Sequence, residues 1–179
     1  MTRIINNGKS IQFNGKTISL PPKFDDWFLP VQAGLSRMFT ELNNHSIGDF
    51  SNGYYWASRE STSTLATVSA FSSGAAISKS GVCHVRPARS FTAPEGTYSL
   101  RDVGPAGGWI YLIIGTLYYE AHKQDLEDSV YSNITNALCG ADSSSEEDSM
   151  VNTLAIINQV GHTNSAAKLC NDLVVYGKL

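Results

Sequence analysis

An α+β fold is what this sequence predicts, and three observations carry the prediction. Apolar residues recur at helical spacing in two separate stretches, at Val31, Leu35, Met38, Phe39 and Leu42 and again at Met150, Val151, Leu154 and Ile157. A strand-like run, Trp109-Ile110-Tyr111-Leu112-Ile113-Ile114, meets a second, Leu117-Tyr118-Tyr119-Glu120-Ala121, across Gly115-Thr116. Two Asn-Gly pairs near the start, Asn7-Gly8 and Asn14-Gly15, mark tight hairpin turns, because both central residues of such a turn need positive φ.

Taken in order, residues 1–22 read as a small β arm. Asn7-Gly8-Lys9-Ser10-Ile11 is echoed by Asn14-Gly15-Lys16-Thr17-Ile18, and short β-prone segments (Ile4-Ile5, residues 10–13 and residues 17–20) flank the turns. Two or three such strands cannot bury a core of their own, so the arm must lie on the main domain or on a partner. Pro21-Pro22 closes it as a stiff linker. Residues 23–179 form the main domain. Its first helix begins near Pro30 and ends before Asn43-Asn44, and a loop through Gly48 and Gly53 follows.

Residues 54–91 read as β. Tyr54-Tyr55-Trp56 is an aromatic strand. Residues 65–71 form another, with Leu65, Thr67, Ser69 and Phe71 on one face. Ser72-Ser73-Gly74 is a turn, and residues 82–91 are a strand in which Pro87 calls for an edge or a bulge. Arg86 and Arg89 point to opposite faces of it, and pairing of one with a buried carboxylate gives that arginine a structural role. Residues 92–97 are a turn-rich connector. Ser145-Glu146-Glu147-Asp148 has the pattern of a capping box, its acidic side chains complementing the dipole of the second helix. Beyond the break at Gly161-His162-Thr163-Asn164, apolar residues at Ala166, Leu169, Cys170 and Leu173 predict a further helical stretch.

Composition narrows the function. With 42% apolar and 16% charged residues and a net charge of −3, the chain has no basic stripe for nucleic acid. No apolar run approaches a membrane span, and the first residues lack the apolar core of a secretory signal. The expected location is therefore a cytoplasm, with exit by lysis or inside a larger particle. Cys83, Cys139 and Cys170 are odd in number and widely spaced, which fits reduced, buried thiols. His45, His84, His122 and His162 show no metal-ligand spacing, and no serine sits in a nucleophile elbow. Asp142, Glu146, Glu147 and Asp148 form the densest acidic cluster, which fits a helix N-terminus better than a calcium site. The sequence predicts no catalysis, no metal and no cofactor.

A recognition surface is the remaining reading. Between residues 54 and 79 the chain carries Tyr54, Tyr55, Arg59, Glu60, Thr62, Thr64, Ser73 and Lys79 among further serines and threonines. Tyrosine supplies rigid amphipathic area and hydroxyls supply adaptable hydrogen bonds, which is the chemistry of binding surfaces and of sugar recognition. These eight residues are the candidate ligand-binding set. For residues 59–64 a merely solvated Ser/Thr-rich segment is an equal reading, and Trp56 reads as core.

Two stretches taken in the opposite order add a resemblance. The later opens with Gly104-Pro105-Ala106-Gly107-Gly108-Trp109 and ends with Ala166-Ala167-Lys168-Leu169-Cys170-Asn171-Asp172-Leu173. The earlier opens with Asp25-Asp26-Trp27-Phe28-Leu29-Pro30, passes through Tyr54-Tyr55-Trp56-Ala57-Ser58 and ends with Val85-Arg86-Pro87-Ala88-Arg89-Ser90-Phe91. Joined later-then-earlier, they resemble the Lcl-type domain of collagen-like bacterial adhesins and phage proteins over residues 24–173. Two departures stand out. The family's LPSxxEL appears as Leu29-Pro30-Val31-Gln32-Ala33-Gly34-Leu35, without its serine and its acid, and its WSS appears as Trp56-Ala57-Ser58.

The resemblance implies a C-type-lectin-like fold in circularly permuted order, with the splice at residues 92–97 and residues 174–176 beside residues 25–28. It also implies that residues 54–79 face a ligand. The expected function is a non-enzymatic, virion-associated phage protein that recognises a carbohydrate or another host-surface ligand. The alternative is a decoration or adaptor protein of the particle. The expected partners are further copies, a trimer being favoured, and other virion proteins through residues 1–22.

Overall fold

Ser10–Phe13 (β1) and Lys16–Ser19 (β2) pair antiparallel, with Phe13 opposite Lys16. The computed structural model describes residues 10–13, 16–70 and 73–177. The expected strand at Ile4-Ile5, the Asn7-Gly8 and Asn14-Gly15 turn residues, Lys9 and Phe71 lie outside the described residues. All four residues of β2 are exposed, Ile18 at 45%.

After the linker come Lys23–Phe24 (β3) and the helix Gln32–Glu41 (α1), followed by a 3-10 turn at Asn43–His45. Then follow Tyr55–Glu60 (β4), Leu65–Ala70 (β5), Ser73–Ser78 (β6), Val82–Cys83 (β7) and Ala88–Thr92 (β8). Trp109–Ile114 (β9), Leu117–Ala121 (β10) and Ser129–Val130 (β11) precede the helices Ser149–Ile157 (α2) and Ala166–Asn171 (α3). Val175–Tyr176 (β12) closes the described chain. The architecture is α+β. The strands form small sheets ordered β1-β2, β8-β10-β9, β11-β7, β12-β3 and β4-β5-β6.

Two hydrophobic cores lie on either side of β4. Tyr55 and Ala57 join Phe28, Leu35, Met38, Phe39, Tyr111 and Tyr119 under α1. Trp56 joins Leu29, Ala66, Val68, Val85, Tyr131, Ile156, Ala166 and Cys170 under α2 and α3. Alternation along an extended chain sends neighbouring residues to opposite faces, so Phe28 and Leu29, like Tyr55 and Trp56, divide between the cores. Buried hydroxyls lock the layers. Thr153 Oγ1 accepts from Leu29 N at 3.0 Å and Ser149 Oγ from Val31 N at 3.2 Å.

Several expectations are corrected. Residues 82–91 are not one strand: β7 and β8 are separated by residues 84–87, whose backbone turns to other partners, with Leu126 N donating to Val85 O and His122 N to Pro87 O. Pro87, lacking an N–H, cannot continue a ladder. The turn after β5 does not include Ser73 and Gly74, which already pair with Ala70 and Ser69 in β6. On β5 the interior positions are Ala66, Val68 and Ser69, while Leu65 and Thr67 are only partly covered. The capping box does not form: neither Ser145 nor Asp148 caps through its side chain. The side-chain cap that does form is Ser165, which accepts from Lys168 N at α3.

Other expectations match. The β9–β10 hairpin forms in the expected place, with a register shift between Tyr119 and Glu120. Val175 pairs with Phe24 and Tyr176 with Lys23, so the end of the described chain lies beside β3, immediately before residues 25–28, within the same chain. Both arginines pair, not one. Arg86 Nε donates to Asp125 at 2.7 Å, and Arg89 contacts Asp26 at 2.7 Å and Glu120 at 3.1 Å. None of the described helices is long and apolar enough to cross a membrane.

Candidate functional site

The β4–β5–β6 sheet divides the eight candidate residues. Tyr54 is 42% exposed just ahead of β4. Ser73 lies at the same end, since it opposes Ala70 while Tyr55 opposes Ser69. Thr62 and Thr64 occupy the β4–β5 turn at the other end of β4, whose six residues span about 20 Å when extended. There Thr62 Oγ1 accepts from Leu65 N at 3.0 Å, so its hydroxyl closes the turn. Arg59 is the one exposed residue of β4.

Tyr55, Glu60 and Lys79 are corrections, because all three are interior. Tyr55 is fully buried, and its hydroxyl donates to Asp125 Oδ2 at 2.7 Å. Burial first, then the Asp125 carboxylate, pushes its pKa above the ordinary phenol range. Lys79 Nζ donates to Glu60 Oε2 at 2.8 Å and to Ala137 O at 2.9 Å. Glu60 also accepts from Cys139 N at 2.9 Å and Gly140 N at 2.8 Å. Burial alone would raise the Glu60 pKa, but Lys79 and the two amides hold it below the ordinary carboxylate value. The pair staples the loop at residues 137–140 to the sheet and offers nothing to solvent. A strand buried on both faces has no free side, which period-two reasoning cannot reveal from the strand alone.

What the sheet does offer is a groove where α1 crosses β4 and β5. Val31, Gln32, Ala33, Ser36, Arg59, Thr67 and Ser144 line about 280 Å³. Arg59 Nε donates to Asp142 O at 3.0 Å, which fixes the guanidinium, and its two terminal nitrogens have no partner among the described residues. Thr67 Oγ1 donates to Arg59 O at 2.7 Å and Ser36 Oγ to Gln32 O at 3.0 Å, leaving their oxygens free to accept. Gln32 lies across β6, where a Cβ at Gly74 would collide with its amide. The groove therefore presents a cation, an amide and hydroxyls, a donor set suited to a small polar ligand. Of the eight candidates only Arg59 lines it. Gln32, Ser36, Thr67 and Ser144 were missed, because their convergence depends on how α1 and the segment before α2 pack.

Beneath this groove's Ser144 edge lies a buried acid. Tyr111 donates its hydroxyl to Glu146 Oε1 at 2.6 Å, while Glu146 Oε2 is out of solvent with no hydrogen-bond partner among the described residues. The carboxyl rests against α1 at Gly34, where a Cβ would collide with both its oxygens. Burial pushes the Glu146 pKa up to about 7, against the opposing pull of Tyr111 and Arg37. Glu146, Glu147 and Asp148 stand in a helical first turn as expected, but the Glu146 carboxyl faces the interior and not the solvent. Among the described residues no three His, Cys, Asp or Glu side chains gather as a metal site. No family model, curated protein or solved structure matches the chain.

Proposed function

We propose that this chain is a non-enzymatic recognition module of a phage virion, C-type-lectin-like with its segments in permuted order, whose Arg59 groove takes a carbohydrate or another polar host-surface ligand. The observation that carries the reading is the groove itself: a guanidinium fixed by one bond to Asp142 O, with its terminal nitrogens open, among Gln32, Ser36, Thr67 and Ser144. Sugar hydroxyls and carboxylates are natural acceptors for such a fork. The cyclic order of the family blocks and the pairing of β12 with β3 support the permuted fold. A glycan array tests the function. Wild-type protein should bind a defined set of glycans, and Arg59→Ala should weaken each by about tenfold, as expected for losing one charge-assisted hydrogen bond. Equal binding by both proteins overturns the assignment of the groove.

A second reading, an assembly or decoration role, is favoured by one feature. The β1–β2 hairpin exposes every residue of β2, including Ile18. A lone two-stranded hairpin is marginal in water, so a neighbouring subunit or virion protein is its natural cover.

A further inference from the structure

Away from the Arg59 groove, two loops are held by one buried guanidinium. Arg86, with no exposure, donates from Nη1 to Gly48 O at 2.7 Å, His122 O at 3.0 Å and Lys123 O at 3.1 Å, and from Nη2 to Asp49 O at 3.4 Å. Its Cζ lies 4.0 Å from the centre of the Phe50 ring. Burying a charge is costly, and an apolar side chain would fill the space more cheaply. What the arginine adds is geometry: it fixes the backbone of residues 48–49 against that of residues 122–123. The first loop is also strained, with Ser46 at φ 57° and Asp49 at φ 47°, left-handed values that non-glycine residues rarely adopt.

Between these loops is a cleft of about 520 Å³, large enough for a ring-sized ligand. Trp109 lines it, with the Lys123 ammonium 6.0 Å from its ring centre. Ser46, Asp49, Lys123 and Gln124 also line it. Among the described residues the Asp49 carboxylate and the Gln124 amide have no hydrogen bond, and Lys123 has no ion pair. Uncommitted donors and acceptors therefore surround a partly exposed indole on a scaffold that is fixed before anything binds. Preorganisation of this kind lowers the cost of binding.

We propose that this cleft is a second binding site, for a neutral hexopyranose. The indole matches the C–H face of a pyranose ring. Asp49 accepts hydrogen bonds from its hydroxyls, while Lys123 and Gln124 donate to them. The opposite charges of Asp49 and Lys123 disfavour an anionic and a cationic ligand alike, which selects a neutral one. The site shares no residue with the Arg59 groove, so it stands or falls independently of that reading.

The test uses the intact chain. Of its three tryptophans, Trp27 and Trp56 are fully buried, so acrylamide quenching of fluorescence reports Trp109. Methyl glucopyranoside, galactopyranoside and mannopyranoside are the probes. At least one should protect Trp109 saturably, with a dissociation constant of about 1 mM. Asp49→Asn and Lys123→Met, both at exposed positions, should each weaken that protection about tenfold, while Arg59→Ala leaves it unchanged. Near-ultraviolet circular dichroism checks that each variant is folded, and Gln124→Ala replaces either one that is not. The proposal is overturned if no probe protects Trp109, if the folded cleft variants protect as well as wild type, or if Arg59→Ala abolishes protection.

Discussion

Glu146 is a carboxyl that solvation would keep ionised but that the fold has taken out of water. Its pKa is pushed up to about 7, mainly by burial. The native state therefore holds a proton that the unfolded chain has released at any pH between the ordinary carboxylate range and 7. Stability falls as pH rises through that window and levels off above it, by at most about 3 kcal/mol. Glu146→Gln keeps an acceptor for Tyr111 and removes the titration. Urea midpoints measured from pH 5 to 8.5 should decline for the wild type and stay nearly flat for the variant; parallel curves count against the assignment. Lys79 poses a different problem, an ammonium in the interior paired with the Glu60 carboxylate. Lys79→Met leaves that carboxylate without its counter-ion and should cost about 3 kcal/mol in urea unfolding. A loss below about 1 kcal/mol would place the pair among weakly contributing surface ion pairs.

At the scale of elements, the arm and the sheet behave differently. The β4–β5–β6 sheet is stabilised by two cores and by helices packed on it, whereas all four residues of β2 in the β1–β2 pair are exposed. Deleting residues 1–22 should leave thermal unfolding of the remainder within a few degrees of wild type and lower the mass found by light scattering, a trimer being the expected starting state. An unchanged mass makes the arm a cap on its own domain. The element pattern also explains which local signals were legible. α1 was readable within two residues of each end, since Val31 to Leu42 keep helical spacing. The capping-box pattern misled because its acidic member, Asp148, accepts instead from Ser143 Oγ at 2.8 Å, and Ser145 N donates to that same hydroxyl at 3.2 Å, so neither turns to the helix amides.

For the whole molecule, closure is the central feature. Gly177 N donates to Pro22 O at 2.8 Å next to the β12–β3 pair, so residues 22 and 177 are already in contact. Residues 92–97 form an ordered turn, with Thr97 N donating to Pro94 O and Ala93 N to Thr116 O. A chain joined from residue 177 to residue 23 by a short linker and opened at Glu95-Gly96 should fold to the same circular dichroism spectrum, because no described contact requires the present break. Failure to fold, with the linker lengthened as a control, would show that the arm or the connector is needed for folding. The sequence by itself determined the α+β class, the first helix and the β9–β10 hairpin. Each of these rests on periodicity or turn chemistry, which are local properties. Only the tertiary structure decided that Tyr55, Glu60 and Lys79 are interior, that Arg86 clamps two loops, and that Gln32, Ser36 and Ser144 converge on Arg59. Burial of a strand on both faces, and convergence of residues distant in sequence, are set by packing between elements, and no single element's pattern encodes its neighbours.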